Sequence, residues 1–212
     1  QFPDYNELSN VDIINNKSIV SYLGLDLKKF NQYKNNNINK IPIIAWNHRW
    51  EYDKNPNDFF TCLKKIKSEG IAFRLVILGE EFQTEMDVFK DARIFFENEI
   101  IHMGYCESFE EYATWLWKAD ILPVTINQDF FGASIMEAVY CNTYPLLPKR
   151  LTYPELFDDS INKNHFYHDQ ADLLFKLKNL LINNQYDNHL SDIAAKYDWE
   201  KMAPYYDKII TQ

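Results

Sequence analysis

Short apolar runs alternate with longer amphipathic segments along most of the chain. The first run, IPIIAW at residues 41–46, is continuous, which is typical of a strand buried on both faces of a sheet. Further runs predict strands over residues 72–78, 99–103, 120–125, 143–147 and 165–168. Apolar residues at helical spacing predict helices over residues 57–70, 84–97, 108–120, 132–141, 170–183, 187–197 and 199–210.

Residues with known positional preferences mark the ends of two predicted helices. Asn57 or Asp58 is predicted to cap the first helix, and Gly70 to end it. Ser108 and Glu111 have the spacing of a capping box, which predicts the start of the third helix.

Strands that alternate with amphipathic helices predict βαβ units and an α/β fold, in which a parallel sheet has helices on both faces. Residues 1–40 are interpreted as a lead-in that ends in a polar tract, and residues 41–198 as the sheet domain. Residues 199–212 are predicted to form a closing helix. Ligands of such folds bind beyond the carboxyl ends of the strands. Three predicted loops occupy that position, after Trp46, Leu78 and Thr125.

The charge balance narrows the classes of partner. The chain of 212 residues has 22 Lys and Arg against 31 Asp and Glu, a formal net charge of −9. Such a surface repels nucleic acid phosphates, so RNA binding would need a local basic patch, and the sequence contains none. No apolar run approaches the roughly 18 residues of a membrane span, and the N-terminus has no signal-peptide pattern.

Cysteine and glycine positions exclude several kinds of site. Cys62, Cys106 and Cys141 are scattered without CxxC spacing, which predicts free thiols in a reducing, cytoplasmic environment and argues against zinc. No two of the five glycines have the spacing of GxGxxG or GxxxxGK[ST], so neither a nicotinamide dinucleotide site nor a P-loop is expected. The chain begins with Gln rather than Met, and we expect it to be a piece of a longer protein.

The stretch DFFGASIMEAVYCN, residues 129–142, has acids on both sides of an apolar segment. A helix that begins near Gly132 presents free N–H groups and a positive dipole end, which favour an anion. Asp129 precedes this helix, where its carboxylate can accept hydrogen bonds from sugar hydroxyls. Glu137 lies about one turn inside and leans toward the N-terminus, so it can reach a second pair of hydroxyls. A nucleotide-sugar has hydroxyls at both ends and phosphate between them.

Two cations follow the first predicted strand. Arg49 can grip phosphate with two N–H groups, and Lys54 adds a point charge, so together they can offset a diphosphate without a metal. No DxD or clustered-histidine pattern is present, and no metal or other cofactor is expected. In the simpler alternative, Asp129 only caps a helix and the two cations face solvent. His48 and His102 are interpreted as structural histidines with satisfied hydrogen bonds.

The pattern from Asp129 to Glu137, with FG after the first acid and EA at the second, resembles the E-x7-E motif of retaining GT-B glycosyltransferases of family 4. Other segments agree in order: SIVSYLGLDLKKF, HRWEYDK, LGE, HMGY, KAD and DWEKMAPYYDKII. HRWEYDKNP, FFGASIMEAVYCN and PKRLTYPELF are similar to a narrower group, the glycosyltransferase-like domain proteins that act as tRNA-queuosine mannosyltransferases.

The resemblance implies the C-terminal, Rossmann-like half of a GT-B fold and a nucleotide-sugar donor, GDP-mannose in the narrower group. It assigns catalysis to Arg49, Lys54 and Asp129, and donor binding to Gly104, Tyr105, Phe131, Gly132, Ala133, Ser134 and Glu137. The two cations hold the diphosphate, Asp129 binds the hexose and Glu137 binds the ribose. The loop at Gly104 and Tyr105 lies where the base docks. The narrower group further implies queuosine in tRNA as the acceptor.

Two departures from the family leave other functions open. Asp129 is one methylene shorter than the usual Glu. The N-terminal domain that binds the acceptor is not in this sequence, so residues 1–40 would include the interdomain segment and residues 199–212 would return toward that domain. The chain alone is then expected to be inactive, with RNA contacted by the missing half. The alternatives are a nucleotide-binding module without transfer and a sugar-nucleotide epimerase or hydrolase of the same fold.

Overall fold

The computed structural model of the chain describes residues 9–35, 38–80, 86–186 and 189–211. Its strands are β1 (Ile43–Asn47), β2 (Arg74–Leu78), β3 (Ile100–Gly104), β4 (Ile121–Pro123), β5 (Tyr144–Pro148) and β6 (Phe166–Tyr167). They form a parallel sheet in the order β3-β2-β1-β4-β5-β6. The predicted parallel sheet is confirmed.

The helices within the described residues are α1 (Ser9–Lys17), α2 (Pro56–Ser68), α3 (Asp87–Phe95), α4 (Phe109–Lys118), α5 (Ala133–Tyr140), α6 (Tyr153–Phe157), α7 (Gln170–Asn183), α8 (Ser191–Ala194) and α9 (Trp199–Ile210). Short 3-10 helices occur at Lys28–Tyr33, Tyr52–Lys54, Lys163–His165 and Ala195–Tyr197. None of the helices in this part of the chain has the length and apolar character needed to cross a membrane.

Consecutive residues of β1 enter opposite apolar layers. Ile43 and Ala45 pack in the layer that contains α4 and α5, whereas Ile44 and Trp46 pack in the layer that contains α2, α3 and α7. Successive side chains of a strand point to opposite faces of the sheet, so a strand covered on both faces is apolar at every position. The predicted helices on both faces are therefore confirmed.

The start of α2 differs from the prediction. Asn55 is its cap, with a side chain that accepts a hydrogen bond from the Asp58 N–H at 3.4 Å. Pro56 takes the first helical position, where its missing N–H costs nothing because that group has no partner within a helix. Asn57 and Asp58, the predicted caps, lie inside the helix. The predicted cap of α4 by Ser108 is confirmed, since Ser108 Oγ accepts from the Glu111 N–H at 3.1 Å. The Glu111 side chain accepts from the Glu107 N–H rather than from that of Ser108, so the reciprocal bond of a capping box is replaced by a bond one residue earlier.

Other differences lie outside the sheet. The predicted helix over 187–197 is wrong as a continuous element: α8 and a 3-10 helix take its place, and residues 187–188 lie outside the described residues. Residues 84–85 of the predicted helix over 84–97 also lie outside them. The apolar pattern predicts neither α1, which has no buried residue, nor α6, which has only 5 residues.

The strands β1 and β4 are neighbours in the sheet although β2 and β3 separate them along the chain. The chain adds β2 and β3 on one side of β1 and then adds β4, β5 and β6 on its other side. The loops that follow β1 and β4 therefore lead away from each other. A crevice at the carboxyl ends of such a pair is the usual ligand site of an open α/β sheet. The fold therefore brings the loop after β1 and the loop before α5 to one place.

The segments that enter and leave the domain lie side by side. Leu25 pairs with Asp198 in a parallel bridge. The buried carboxylate of Asp198 accepts hydrogen bonds from the N–H groups of Leu27 at 3.0 Å, Lys28 at 3.1 Å and Glu200 at 3.0 Å. Asp198 thus caps α9 and attaches it to the lead-in segment.

Candidate functional site

Two cavities adjoin at the carboxyl ends of the strands. The larger cavity, of about 440 Å³, lies between the loops after β1, β2 and β3 and the start of α4. The smaller cavity, of about 240 Å³, lies between the loop after β1 and the start of α5. Asn47, His48 and Arg49 line both cavities, so one loop borders both halves of the site.

The loop before α5 forms one wall of the smaller cavity and is held by Asp129. Its Oδ1 accepts hydrogen bonds from the N–H groups of Phe130 at 2.8 Å and Gly132 at 3.1 Å. Its Oδ2 accepts from the hydroxyl of Tyr153 at 2.9 Å. Gly132 has a φ of +79°, a conformation that a residue with a Cβ adopts only under strain. Gly132, Ala133 and Ser134 line the smaller cavity, where the first N–H groups of α5 have no partner within the helix.

Arg49 and Lys54 both line the smaller cavity, and each is paired with an acid of its own loop. Arg49 Nη2 lies 3.1 Å from Glu51 Oε2, and Lys54 Nζ lies 2.9 Å from Asp53 Oδ2. The Arg49 side chain is 57% exposed and that of Lys54 is 14% exposed. An anion in this cavity would therefore meet one exposed and one partly buried cation.

Asn47 and His48 are site residues that sequence reasoning missed. The Asn47 amide donates to the Ser134 carbonyl at 2.6 Å, and His48 Nδ1 lies 3.2 Å from Ser134 Oγ. Both side chains are buried, yet Asn47 Oδ1 and His48 Nε2 have no hydrogen-bond partner among the described residues. The interpretation of His48 as fully satisfied is therefore wrong. Its place at the carboxyl end of β1 was the available signal.

The protonation of His48 follows from its surroundings. Burial, with a smaller effect from the nearby Lys54 ammonium, lowers the pKa of His48 to about 3. The imidazole is therefore neutral at physiological pH, and His48 lines both cavities as an uncharged residue.

Glu137 lies behind the larger cavity and lines neither cavity. Its Oε2 accepts a hydrogen bond at 2.7 Å from the hydroxyl of Tyr112, which does line the larger cavity. Burial raises the pKa of Glu137, and the Tyr112 hydrogen bond opposes that rise. Burial, and next the charge of Glu137, raises the pKa of Tyr112 well above its usual value. Tyr112 therefore remains a donor and fixes the carboxylate, a role that sequence reasoning missed.

Of the remaining predicted residues, Gly104, Tyr105 and Phe131, only Tyr105 lines one of the two cavities. Gly104 ends β3 with a φ of +141°, and the 63% exposed Tyr105 lines the larger cavity. The ring of Phe131 points away from the smaller cavity and packs against Tyr22 and Tyr197, with centroids 6.4 Å and 5.2 Å away. Phe131 can therefore contribute only its backbone to a ligand in that cavity.

The two cavities differ in chemistry. The smaller has two cations and a helix N-terminus, which suit an anion such as a phosphate. The larger shares Arg49 with the smaller but is otherwise lined mainly by aromatic rings, small polar groups and the acids Glu80 and Glu107. It has room for a planar ring with attached hydroxyls.

The chain belongs to the glycosyl transferases group 1 family, whose sequence model matches residues 28–197. One similar curated protein is the tRNA-queuosine alpha-mannosyltransferase of Drosophila melanogaster, which is 32% identical over 136 residues. The match covers 64% of this chain and 35% of that protein, so the chain spans about a third of the relative's length.

Solved structures agree on the fold. A glycosyltransferase from Rickettsia africae ESF-5 aligns with a TM-score of 0.71 at 15% identity, covering 92% of this chain and 56% of that one. Sucrose-phosphate synthase from Thermosynechococcus elongatus aligns with a TM-score of 0.66 at 17% identity, covering 90% and 51%. The expectation of a Rossmann-like half of a GT-B fold is thereby confirmed.

Proposed function

We propose that this chain is the donor-binding domain of a retaining hexosyltransferase that transfers mannose from GDP-mannose to queuosine in tRNA. One observation carries the proposal: two cations and the start of α5 surround one cavity at the crevice beside β1 and β4. A diphosphate is the ligand group that this combination suits best.

The proposed roles follow the two cavities. Arg49 and Lys54 bind the diphosphate, and the first N–H groups of α5 add donors from Ala133 and Ser134. The base and ribose occupy the larger cavity beside Tyr105. The ribose hydroxyls take the place of the Tyr112 hydroxyl and donate hydrogen bonds to the Glu137 carboxylate. These assignments rest on cavity linings, on the hydrogen bond between Tyr112 and Glu137 and on the family's motif.

The proposed transfer proceeds on one face of the sugar. The bond from the anomeric carbon to the phosphate oxygen breaks while the acceptor oxygen bonds to the same face, so configuration is retained. The acceptor's proton passes to the departing phosphate, whose growing charge Arg49 and Lys54 stabilise. No step requires a metal, because these cations and the helix dipole supply the positive charge.

The acceptor and the location are inferred from the relative and from the chain's composition. The name of the Drosophila melanogaster relative supplies the class of acceptor. The chain's net charge of −9 disfavours broad contact with RNA, so we assign RNA binding to another part of the whole protein. Cys62, Cys106 and Cys141 are all free, which fits a protein of the reducing cytoplasm.

A second candidate is a nucleotide-binding module without transfer. Its support is that both carboxylate oxygens of Asp129 already accept hydrogen bonds from the protein itself, so a sugar hydroxyl would have to share them. The two candidates agree on nucleotide binding and differ in whether Asp129 contacts the hexose.

Thermal unfolding with added nucleotides tests the shared claim. GDP, UDP and ADP are each compared with the matching nucleoside, with and without excess EDTA. A ligand at 100 times its Kd should raise the free energy of unfolding by about 2.7 kcal/mol. We expect at least one nucleoside diphosphate to stabilise the chain more than its nucleoside does, and we expect EDTA to leave that stabilisation unchanged. If no diphosphate stabilises the chain, the donor site is refuted. If EDTA abolishes the effect, the assignment of phosphate binding to the two cations is refuted.

A further inference from the structure

Three metal-ligating side chains meet where β3 leads into α4, outside the set that we assign to the diphosphate. His102 Nε2 lies 3.8 Å from Cys106 Sγ, and the other ring nitrogen of His102, Nδ1, lies 3.6 Å from Glu111 Oε1. When a single ring nitrogen is taken as the ligand atom of His102, that nitrogen, Cys106 Sγ and one Glu111 oxygen all lie within 4.8 Å of one another. Among the described residues, this is the one group of three or more His, Cys, Asp or Glu side chains whose ligand atoms lie this close together.

Contacts within the fold hold each member of the cluster, and Cys106 packs against the apolar layer that contains α4 and α5. His102 belongs to β3, and its ring lies 5.3 Å from that of Trp115 on α4. Glu111 lies in the first turn of α4, and its Oε2 accepts a hydrogen bond from the Glu107 N–H at 3.1 Å. That bond leaves Oε1 facing His102. The cluster is thus ordered by contacts that do not depend on a ligand.

The donor set suits one kind of ion. An imidazole nitrogen, a thiolate sulfur and a carboxylate oxygen are all zinc ligands, and the thiolate disfavours magnesium and calcium, which prefer oxygen. Tetrahedral zinc with ordinary bond lengths places nitrogen and sulfur roughly 3.5 Å apart. The separation of 3.8 Å between His102 and Cys106 is close to that value. Water would complete a set of three protein ligands.

We propose that His102, Cys106 and Glu111 bind one zinc ion at the edge of the larger cavity. Binding forms a bond from zinc to the Cys106 sulfur, and the thiol proton passes to solvent. Cys106 lines the larger cavity, so the ion lies next to the proposed docking place of the base. The site goes beyond the proposed donor-binding function and does not depend on it.

The sequence argued against zinc because the ligands are spaced His-x3-Cys-x4-Glu, without CxxC or paired histidines. These three residues come close together only because the chain turns after β3. The turn brings Cys106 and the start of α4, which carries Glu111, back to His102 on β3.

Cobalt binding tests the site, because cobalt(II) takes zinc's ligands and shows a thiolate-to-metal absorption band that zinc lacks. Protein without a histidine tag is titrated with Co²⁺ alone, and Zn²⁺ is then added. We expect one Co²⁺ per chain, a thiolate band, and loss of that band when Zn²⁺ displaces the cobalt. Cys106→Ala should abolish the band, and His102→Ala and Glu111→Gln should each weaken Co²⁺ binding by about 10-fold or more.

The matched control is Cys141→Ala, which removes a free thiol from the end of α5 and should leave the band unchanged. Circular dichroism checks that every variant is folded. If wild-type protein shows no thiolate band, or if Cys106→Ala retains it, the zinc site is refuted. A variant that fails to fold is replaced by Cys106→Ser, whose hydroxyl cannot give the band, and the same two outcomes apply.

Discussion

The hydroxyl of Tyr153 donates a hydrogen bond of 2.9 Å to Oδ2 of Asp129, and the Tyr153 ring is fully buried. Burial, and next the Asp129 charge, raises the pKa of Tyr153, so its hydroxyl remains a donor. Asp129 also holds the N–H groups of Phe130 and Gly132. The buried start of α6 thus fixes the loop that forms one wall of the smaller cavity.

Replacing Tyr153 with Phe removes one donor and keeps the ring. Hydrogen bonds to charged groups contribute about 1.5–3 kcal/mol, so Tyr153→Phe should lower the free energy of unfolding by about that amount. Urea denaturation measures the change. Tyr140→Phe is the control, because the Tyr140 hydroxyl binds the neutral Asn31 side chain at 3.1 Å in an exposed position. Equal losses in the two variants would contradict a special role for the bond between Tyr153 and Asp129.

Substitutions of the two acids, Glu137 and Asp129, should weaken the binding of different ligands. Glu137→Gln should weaken GDP and GDP-mannose alike, because both carry the ribose. Asp129→Asn should spare GDP and weaken GDP-mannose by about 1–2 kcal/mol if Asp129 contacts the hexose. The amide oxygen can still accept from the loop N–H groups, so this variant keeps the loop and tests the charge.

Calorimetric titration of each ligand against each acid variant gives the comparison. If Asp129→Asn leaves both affinities unchanged, Asp129 serves only the loop, and the module without transfer is favoured. If Glu137→Gln and Asp129→Asn show the same losses for GDP and GDP-mannose, the assignment of ribose and hexose to different ends of the site is wrong.

Arg49 should act on the phosphates alone. Arg49→Ala should weaken GDP by about 1.5–3 kcal/mol, or about 10- to 150-fold, and leave guanosine nearly unchanged. Lys90→Ala is the control, since Lys90 also pairs with an acid, Asp87 at 3.5 Å, but lines neither cavity. Calorimetry at fixed salt measures both ligands. An equal loss for guanosine and GDP would show that Arg49 supports the fold of the loop rather than the phosphates.

His48 should make the fold sensitive to acid. Its pKa is about 3 in the folded chain and about 6.5 when unfolded, so below pH 6.5 the unfolded state binds a proton that the folded state excludes. This contribution to stability is complete above pH 6.5 and is lost as the pH falls toward 3. Between pH 7.5 and 5.0 the loss should be about 2 kcal/mol.

Urea denaturation of the wild type and of His48→Gln at both pH values isolates this effect from the other histidines. The variant cannot titrate at position 48, so its stability should fall by about 2 kcal/mol less than that of the wild type. Parallel falls in the two proteins would show that His48 does not hold its neutral form in the fold.

The order of the six strands was determined by the sequence itself, because periodicity depends on near neighbours. The run IPIIAW predicts a strand covered on both faces, and the structure places Ile43 and Ile44 in opposite apolar layers. Ser108 and Glu111, only three residues apart, likewise predict a cap that forms. The family motif from Asp129 to Glu137 is similarly local.

Tertiary structure alone decided what these side chains touch, because their partners lie far along the chain. His48 meets Ser134 across 86 positions, and within the part of the chain that the structure describes its Nε2 has no partner, a consequence of packing that no local pattern encodes. Tyr112 and Tyr153 lie 25 and 24 positions from the acids that they hold. Burial and hydrogen bonding set the proton affinity and position of a charged group, and both arise only when the chain closes around it.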